Sequence, residues 1–299
     1  MNVAASVRAR LLKVSKERQE DFTLTLMNYG AERFLYRLSK SKHRDRFVLK
    51  GAMLFAVRVG EQYRPTRDLD LLGLGEASEA AVAAAVTDIA ATNVEDDGLV
   101  FDVDGLEVHA IREDNAYGGI RAVMQARLAE ARIRIQIDVG FGDAITPAAT
   151  NLEFPTLLTE MPAPNVLAYP TETIVAEKVE AMVQLGLSNS RIKDFTDVAI
   201  AARRTPFDGS TLAAAIQATF RRRGTQLPEA DMVALSEQFV ENDRTQVNWK
   251  AYVRRESLHG FDSLAQLVVE LRVFLAAPLE HARTGEPFTA RWTPGGPWK

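Results

Sequence analysis

The sequence predicts an α+β protein in which a mixed sheet flanked by helices is followed by an all-helical domain. Short apolar runs, several of them alternating with polar residues, occupy the chain up to about residue 142. A proline-rich stretch follows, and the pattern then becomes helical almost to the end. We therefore expect two domains: residues 1–160, with a basic N-terminal helical arm, and residues 161–299, which are helical.

The first half alternates between helical and strand patterns. A helix is predicted over 21–40, interrupted only by Gly30, and Ser78 is placed to cap an alanine-rich helix through about Ala91. The turn residues Asp104-Gly105 predict a hairpin between LVFDVDG and LEVHAIRE. The other expected elements are strands at 46–51, 69–74 and in two runs over about 120–142, and a short helix at 52–60.

The second half begins with the stretch from Thr146 to Pro170, which contains four prolines between 155 and 170 and is expected to be a linker or wrapped loop. Five apolar-periodic segments then predict helices. They are TETIVAEKVEAMVQLGL, KDFTDVAIAARR, STLAAAIQATFRRRG, EADMVALSEQFV and LAQLVVELRVFLAAPLE. The tail holds two of the three tryptophans and is expected to pack as an extended segment.

Composition excludes several classes of protein. The absence of cysteine excludes disulfides and thiolate metal sites and fits a reducing cytoplasm. No apolar stretch approaches the roughly 18–20 residues of a membrane span, and no secretory signal is evident at the N-terminus. Four scattered histidines make a histidine-rich metal site an unfavourable hypothesis.

Charge is distributed unevenly along the chain. Residues 1–50 carry twelve Lys and Arg against five Asp and Glu, a net charge of +7, so that the remainder carries −11 to give the overall −4. A basic arm on an acidic body suggests a polyanionic partner, and the alternative is a solvated amphipathic helix.

The stretch RPTRDLDLLG (64–73) places two carboxylates side by side at the start of a predicted strand. Side chains two residues apart on a strand share a face, so Asp68 and Asp70 should point the same way while Leu69 faces the core. Such oxygen ligands suit Mg²⁺, with Mn²⁺ as an alternative ion. Aspartates so spaced also occur in solvated turns, so the pair alone does not establish a metal site.

Two further residues add context. Asp138 lies among apolar neighbours in the predicted strand IRIQIDVGFG, where a carboxylate needs a partner. If that strand pairs beside the one carrying Asp68 and Asp70, three carboxylates meet in a plausible two-metal site. Upstream, Gly51 marks a strand-to-helix turn whose N–H groups can receive a phosphate, although an ordinary tight turn would look the same.

This order of elements resembles the DNA polymerase β-like nucleotidyltransferase superfamily. The matching pieces are Gly51-Ala52, Asp68-Leu69-Asp70 and Asp138, and the departure is Ala52, where glycine or serine is usual. The resemblance implies NTP as substrate and a metal site formed by Asp68, Asp70 and Asp138. It also implies that Asp138 assists in deprotonating the attacking hydroxyl.

A narrower resemblance is to the AbiEii-type toxins, which include the mycobacterial MenT nucleotidyltransferases. Three blocks carry it: FVLKGAMLF, the RPTRDLD box, and YPTETIVAEKVEAMVQLGLSNSRIKDFTDV (169–198). It implies a cytoplasmic nucleotidyltransferase that a separate antitoxin neutralises. It further implies transfer of nucleotides to an RNA acceptor, the 3′ end of tRNA, which blocks translation.

The same resemblance brings Lys178 and Asp194 into the active site, with Lys178 offsetting the charge of the phosphates and Arg191 or Lys193 assisting. The residues themselves leave alternatives open. Lys178 could be a surface lysine paired with Glu177 or Glu180. Asp194 could cap the helix that begins there, and Asp197 could hold Arg191.

Thr66 and Arg67 precede the carboxylates and are candidate nucleotide contacts, although Arg67 could instead pair with Asp45. The N-terminal arm is a candidate RNA-binding surface, and so are three arginine runs. These are Arg203-Arg204, Arg221-Arg222-Arg223 and Arg254-Arg255. Two competing hypotheses are a nucleotidyltransferase that modifies a protein hydroxyl, including its own, and a non-catalytic nucleotide-binding module.

Overall fold

The computed structural model describes residues 2–60, 66–111, 118–229, 232–256 and 260–299. Several predicted features lie partly outside these ranges: Arg64-Pro65 of the RPTRDLD box, Arg112-Glu113 of the predicted hairpin, residues 230–231 of a predicted helix, and His259. The described residues divide into two compact units. The first covers 2–57, 66–111, 118–142 and 149–169; the second covers 58–60, 143–148, 170–229, 232–256 and 260–299.

The first unit combines helices with a seven-stranded mixed sheet. Its helices are α1 (Val3–Arg18), α2 (Phe22–Lys40), α3 (Gly51–Val59) and α4 (Glu79–Ala90). Its strands are β1 (Phe47–Leu49), β2 (Asp68–Gly73), β3 (Leu99–Ile111), β4 (Gly119–Leu128), β5 (Ala131–Phe141), β6 (Thr150–Glu153) and β7 (Asn165–Ala168).

The strand order is β3-β4-β5-β2-β1-β7-β6. β2 and β5 run parallel, as do β1 and β7, while the other neighbouring pairs are antiparallel. Central β2 and β5 carry leucine, isoleucine and valine side chains that are almost completely buried, as expected for strands covered by helices. The parallel β2–β5 pair is the part of the fold that brings distant carboxylates together.

Helix α2 crosses the sheet at close range, with Gly30 at the contact. A Cβ atom at position 30 would collide with the Ile135 side chain of β5. Glycine in the middle of a helix costs stability, but here the missing side chain allows the helix to approach the strand. Asp21 caps α2 by accepting a hydrogen bond from the Leu24 N–H. The single predicted helix is therefore confirmed, with Gly30 inside it.

Two predictions for the first unit were wrong. Asp104-Gly105 does not form a hairpin turn, because β3 continues through it and pairs with β4 on both sides. The four residues between Asp102 and Glu107 oppose only Met124, so the turn residues are accommodated as an irregularity in the strand. The proline-rich stretch is also more than a linker, since β6 and β7 within it add to the sheet beside β1.

The second unit is largely helical. It contains α5 (Thr171–Leu185), α6 (Ile192–Arg204), α7 (Gly209–Arg223), α8 (Glu237–Glu241), α9 (Asp243–Glu256) and α10 (Leu264–Thr284), with 3-10 turns at Gly186–Ser188 and Val233–Leu235. The predicted helix EADMVALSEQFV is shorter than expected, because Ser236 starts α8 by capping the Phe239 N–H. Helix α9 was not predicted, since its sequence DRTQVNWKAYVRRE is largely polar.

The tail contributes one strand to a short antiparallel pair. Its strand β9 (Arg291–Trp292) pairs with β8 (Phe207–Asp208), which lies between α6 and α7. The Trp292 indole N–H donates to the Ala202 carbonyl at 2.6 Å, and the Trp298 indole N–H donates to the Phe274 carbonyl at 2.9 Å. These bonds fasten the tail to the helices of its own unit, which confirms its extended packing. In the described parts of the chain, no helix combines the length and apolarity that crossing a membrane requires.

Candidate active site

The first group of candidate residues lies on the parallel pair β2 and β5. Along β2, Leu69 is fully buried while Asp68 and Asp70 are partly exposed, as strand alternation requires. In the register of the two strands, Asp70 lies opposite Asp138 and Asp68 lies opposite Gln136. Paired residues of neighbouring strands share a face, so Asp68, Asp70 and Asp138 are on one side of the sheet.

Gly51 shapes the turn beside these carboxylates. It has a positive φ of +73°, and a Cβ atom at this position would collide with the Asp70 carboxylate. The Lys50 N–H donates to the Asp70 carbonyl at 3.0 Å, which ties the turn to β2. The turn leads directly into α3, whose first N–H groups lack helical carbonyl partners. Only glycine lets the carboxylate and the helix start approach so closely.

Asp138 is held by an arginine from the neighbouring strand. Arg121 of β4 lies directly opposite Asp138 and donates from Nε at 2.8 Å and from Nη2 at 2.7 Å to its two carboxylate oxygens. The hydrogen bond to Asp138 raises the pKa of Arg121, and the charges of Asp68 and Asp70 raise it further, while burial opposes them. All three carboxylates therefore stabilise the positive charge of this guanidinium.

The donor set on this face suits a hard divalent cation. Asp68 and Asp70 supply carboxylate oxygens on one face, which is the chemistry Mg²⁺ prefers. The Asp138 oxygens, by contrast, both accept hydrogen bonds from Arg121. Among the described residues, no three His, Cys, Asp or Glu side chains are arranged so that they could jointly hold a metal ion. The carboxylates of Asp68 and Asp70 thus have the ligand chemistry of a divalent-cation site, and the Asp138 carboxylate is engaged by Arg121.

The remaining candidates of the first unit lie around this group. Ala52 is the second residue of α3 and is partly exposed. The Thr66 hydroxyl lies 3.5 Å from the Asp68 carbonyl, to which it donates. Arg67 is exposed, and Asp45, considered as its partner, lies 3.5 Å from the Arg44 guanidinium. Thr66 is therefore fixed against the carboxylate strand, and Arg67 extends toward solvent.

The second group lies on α5 and α6 of the second unit. The Lys178 ammonium is 3.0 Å from an Asp194 carboxylate oxygen and 2.6 Å from an Asp197 oxygen. Both aspartates are buried on α6. The Arg191 Nε lies 2.6 Å from the other Asp194 oxygen. Burial alone would raise the pKa of Asp194, but the charges of Lys178 and Arg191 lower it below its usual value.

The open alternatives for this group can now be decided. Asp194 makes no capping bond, because the N-cap of α6 is Arg191 and it has no side-chain cap hydrogen bond. Asp197 binds Lys178, while Arg191 pairs with Asp194. Glu180 is held by Arg223 at 2.8 Å and by the Thr225 hydroxyl. The capping role of Asp194 and the pairing of Arg191 with Asp197 are therefore wrong; Lys193 is exposed beside the cluster.

The sequence model of the family described as "Nucleotidyl transferase AbiEii toxin, Type IV TA system" matches residues 33–267, most of the chain. The chain belongs to the AbiEii family. It is a nucleotidyltransferase of a toxin–antitoxin family, which confirms the resemblance carried by its sequence blocks. No curated protein matches it significantly.

Solved structures are similar to this AbiEii chain at low sequence identity. A provisionally assigned nucleotidyltransferase from H. pylori aligns with a TM-score of 0.48 and 13% identity, covering 86% of this chain and 94% of that one. JHP933 from Helicobacter pylori aligns with a TM-score of 0.46 and 13% identity, covering 85% and 88%. An antigenic nucleotidyltransferase-like protein from Paracoccidioides brasiliensis gives 0.40 and 12%, covering 84% and 92%. The family assignment rests on the sequence match.

Some of the arginines considered for RNA binding form ion pairs with acidic residues of this AbiEii chain. Arg33 and Arg37 of α2 are buried, and Arg37 makes a bidentate pair with Asp97 at 2.6 and 3.1 Å. Arg203 likewise pairs with Glu270 through two bonds, and Arg223 is held by Glu180. RNA binding by the arm and the three arginine runs therefore stays a prediction, and it concerns their exposed residues rather than these paired arginines. Exposed Lys13, Lys16, Arg18, Arg221 and Arg254 remain on surfaces.

Arg121 was missed by sequence reasoning, although a signal existed. The two strands IRAVMQARL and ARIRIQIDVGF are joined at Ala129-Glu130. Counting outward from that connection, with Leu128 opposite Ala131, brings Arg121 opposite Asp138. The expectation that a carboxylate in an apolar strand needs a partner was sound, but the nearest partner is this arginine.

Proposed function

We propose that this AbiEii chain is a Mg²⁺-dependent toxin that transfers a nucleoside monophosphate from an NTP to an RNA acceptor. The acceptor we propose is the 3′ end of tRNA, so that translation is blocked, and the setting is the cytoplasm, where a cognate antitoxin neutralises the enzyme. The observation that carries the proposal is the placement of Asp68, Asp70 and Asp138 on one sheet face beside the Gly51 turn.

Asp68 and Asp70 would hold Mg²⁺, which when bound supplies positive charge to the oxygens of the triphosphate. Asp138 is the third carboxylate of the set. The Gly51 turn presents the first N–H groups of α3, which suit a phosphate because they carry the positive end of the helix dipole. Ala52 leaves this approach open, since its side chain is small. Thr66 and Arg67 would lie along the triphosphate as further contacts.

In the transfer, the hydroxyl oxygen of the acceptor forms a bond to the α-phosphorus. The bond from that phosphorus to the bridging oxygen breaks, and pyrophosphate leaves with the electron pair. The hydroxyl loses its proton in the same step, and we propose that the Asp138 carboxylate accepts it. The chain's own contribution is to orient the nucleotide and to stabilise the growing charge on the leaving group.

We propose that Lys178 serves this stabilisation and that Asp194 acts with it. Two buried aspartates hold the Lys178 ammonium at 3.0 and 2.6 Å, so its position is fixed. A fixed ammonium stabilises phosphate charge better than a mobile one because no ordering is needed during the reaction. Arg191 and Lys193, which follow the same segment, are proposed as additional phosphate contacts.

The proposal is tested by incubating the purified protein with total RNA, Mg²⁺ and each α-³²P-labelled NTP in turn. We expect label in RNA of tRNA size with one or a few NTPs. Asp68→Asn keeps the shape of the side chain and removes its charge, and it should abolish the labelling. Asp104→Asn is the matched control, because Asp104 is an exposed strand aspartate on β3, and it should label as the wild type does.

Two results would contradict the proposal. Label that appears in protein instead of RNA would identify a protein hydroxyl as the acceptor. The absence of label with every NTP, combined with a cellular phenotype that Asp68→Asn leaves intact, would identify a non-catalytic nucleotide-binding role.

A further inference from the structure

Asp138 is held by side chains of its own strand and of the neighbouring strand. Asp138 is bound by Arg121 through two hydrogen bonds, one to each of its oxygens. Gln136 adds a contact to the same carboxylate, with its amide nitrogen 3.4 Å from Oδ2, and the Gln136 amide oxygen accepts a bond from Arg134 at 2.8 Å. Each Asp138 oxygen thus already accepts a hydrogen bond from a protein donor.

Arg121 also interacts electrostatically with the other two carboxylates, those of Asp68 and Asp70. It lies on the strand next to β5, directly opposite Asp138, and Asp138 lies opposite Asp70. One guanidinium therefore stands at the edge of a row of like charges. Since like charges repel, this cation lowers the cost of keeping the carboxylates on one face.

The Arg121–Asp138 pair is only partly buried, which allows it to open. The Arg121 side chain is 33% exposed and that of Asp138 is 16% exposed. A pair at the surface gains little net free energy, whereas a fully buried pair is costly to separate. This pair lies between the two limits, so a divalent cation with bound nucleotide can compete with the guanidinium for Asp138.

We propose that Arg121 is a positioning residue that holds Asp138 in the absence of a divalent ion and must be displaced before Asp138 can bind one. This inference rests on the proposed function, because it concerns the same three carboxylates. It makes loading unequal: an ion at Asp68 and Asp70 does not require Arg121 to leave Asp138, whereas binding at Asp138 follows only when Arg121 leaves. A purely structural tie between β4 and β5 would have no such effect.

The test is a titration with Mn²⁺ followed by electron paramagnetic resonance, with and without a non-hydrolysable NTP analogue. Without nucleotide, the wild type should bind one Mn²⁺ well and a second one weakly. Arg121→Gln should bind the second Mn²⁺ at least about tenfold more tightly, because an opposing charge in contact with the ligand has been removed. Arg121→Lys should fall between them, since it keeps the charge and loses the two-point contact.

Arg127→Gln is the matched control. Arg127 is an exposed arginine on the same strand and the same face, six residues away and so roughly 20 Å from Arg121. It should bind Mn²⁺ as the wild type does. In an Asp138→Asn background, Arg121→Gln should no longer change Mn²⁺ binding, because the ligand that Arg121 holds is gone.

The outcomes separate this inference from the proposed function. Unchanged or weaker Mn²⁺ binding by Arg121→Gln overturns the role of Arg121, even if the variant melts at a lower temperature. Absence of Mn²⁺ binding in both wild type and variant overturns it as well. Failure of the proposed function is seen elsewhere, as the absence of labelled RNA with every NTP while the Mn²⁺ shift persists.

Discussion

The two groups of charged residues differ in how far their carboxylates are buried. In the first unit, Asp68 and Asp70 stand on a strand and are partly exposed on the sheet face. In the second unit, Asp194 and Asp197 stand on a helix, are almost completely buried, and are held by Lys178. Both groups place two aspartates a short distance apart in sequence, yet only one of them leaves its carboxylates within reach of solvent.

The difference follows from how charge is compensated. A buried carboxylate must have its counter-charge from the protein, because desolvation would otherwise neutralise it. Lys178 and Arg191 provide that charge, and the pKa of Asp194 is lowered in spite of burial. A partly exposed carboxylate can keep water and can exchange it for a cation. We infer that the strand pair suits reversible binding, and that the helix pair suits the permanent orientation of Lys178.

The largest effect is expected at the strand pair. Asp70→Asn should lower the rate of nucleotide transfer about a thousandfold, because a neutral amide no longer binds the divalent ion strongly. The free energy of unfolding should change little, since the side chain is partly exposed. Labelled-NTP transfer and urea denaturation measure the two quantities, with Asp104→Asn as control. A large loss of stability with normal activity would show that Asp70 has a structural role and does not bind the divalent ion.

Lys178→Gln tests the helix pair: besides slowing the proposed transfer, it should lower stability. It removes the cation between two buried aspartates, which should lower the free energy of unfolding by about 3–5 kcal/mol. Lys193 is an exposed lysine on the same helix as the aspartates. Lys193→Gln should therefore change the free energy of unfolding by no more than about 0.5 kcal/mol. Urea denaturation compares them. The triple variant Lys178→Met, Asp194→Asn, Asp197→Asn should recover much of the loss, and a stability unaffected by Lys178→Gln would refute the assignment.

The same contrast explains what could be predicted from sequence. Strand alternation places Asp68 and Asp70 on one face without knowledge of the rest of the chain, and the helix start at Gly51 is equally local. Arg191 is a local partner of Asp194, three residues before it, but the pairing with Lys178 depends on how α5 packs against α6, which no local pattern encodes. Arg37 and Arg223 were counted as surface charge for the same reason, because burial of an arginine is decided by acids distant in sequence, such as Asp97 and Glu180.

Two buried carboxyl groups, those of Glu32 and Asp194, should make the free energy of unfolding depend on pH in opposite directions. Burial raises the pKa of Glu32 on α2 from 4.5 to about 7, although Arg33 and the Leu157 N–H oppose the shift. Because its folded pKa is raised, Glu32 contributes stability in acid that is lost as pH rises from about 4.5 through 7. The lowered pKa of Asp194 contributes stability above pH 3.8 that is lost only as pH falls below that value.

Glu32→Gln should therefore remove a decline in stability of roughly 2–3 kcal/mol between pH 4.5 and 7. Gln keeps an oxygen that can accept the Leu157 N–H. Glu107→Gln, an exposed glutamate on β3, should leave the decline in place. Urea denaturation at several pH values measures this. A variant whose stability falls over the same pH range as the wild type would show that Glu32 is not the group responsible.

A further effect is expected at the turn that adjoins the strand pair. Gly51→Ala should cost about 1–2 kcal/mol for the positive φ, and more because its methyl group collides with the Asp70 carboxylate. Gly60→Ala is a close match, since Gly60 has the same φ of +73° and no atom of the described residues lies within 4 Å of the added atom. The difference between the two variants isolates the collision. If the carboxylate must lie against this turn to bind a divalent ion, Gly51→Ala should weaken Mn²⁺ binding whereas Gly60→Ala should not, and equal Mn²⁺ affinities would separate the turn from the metal site.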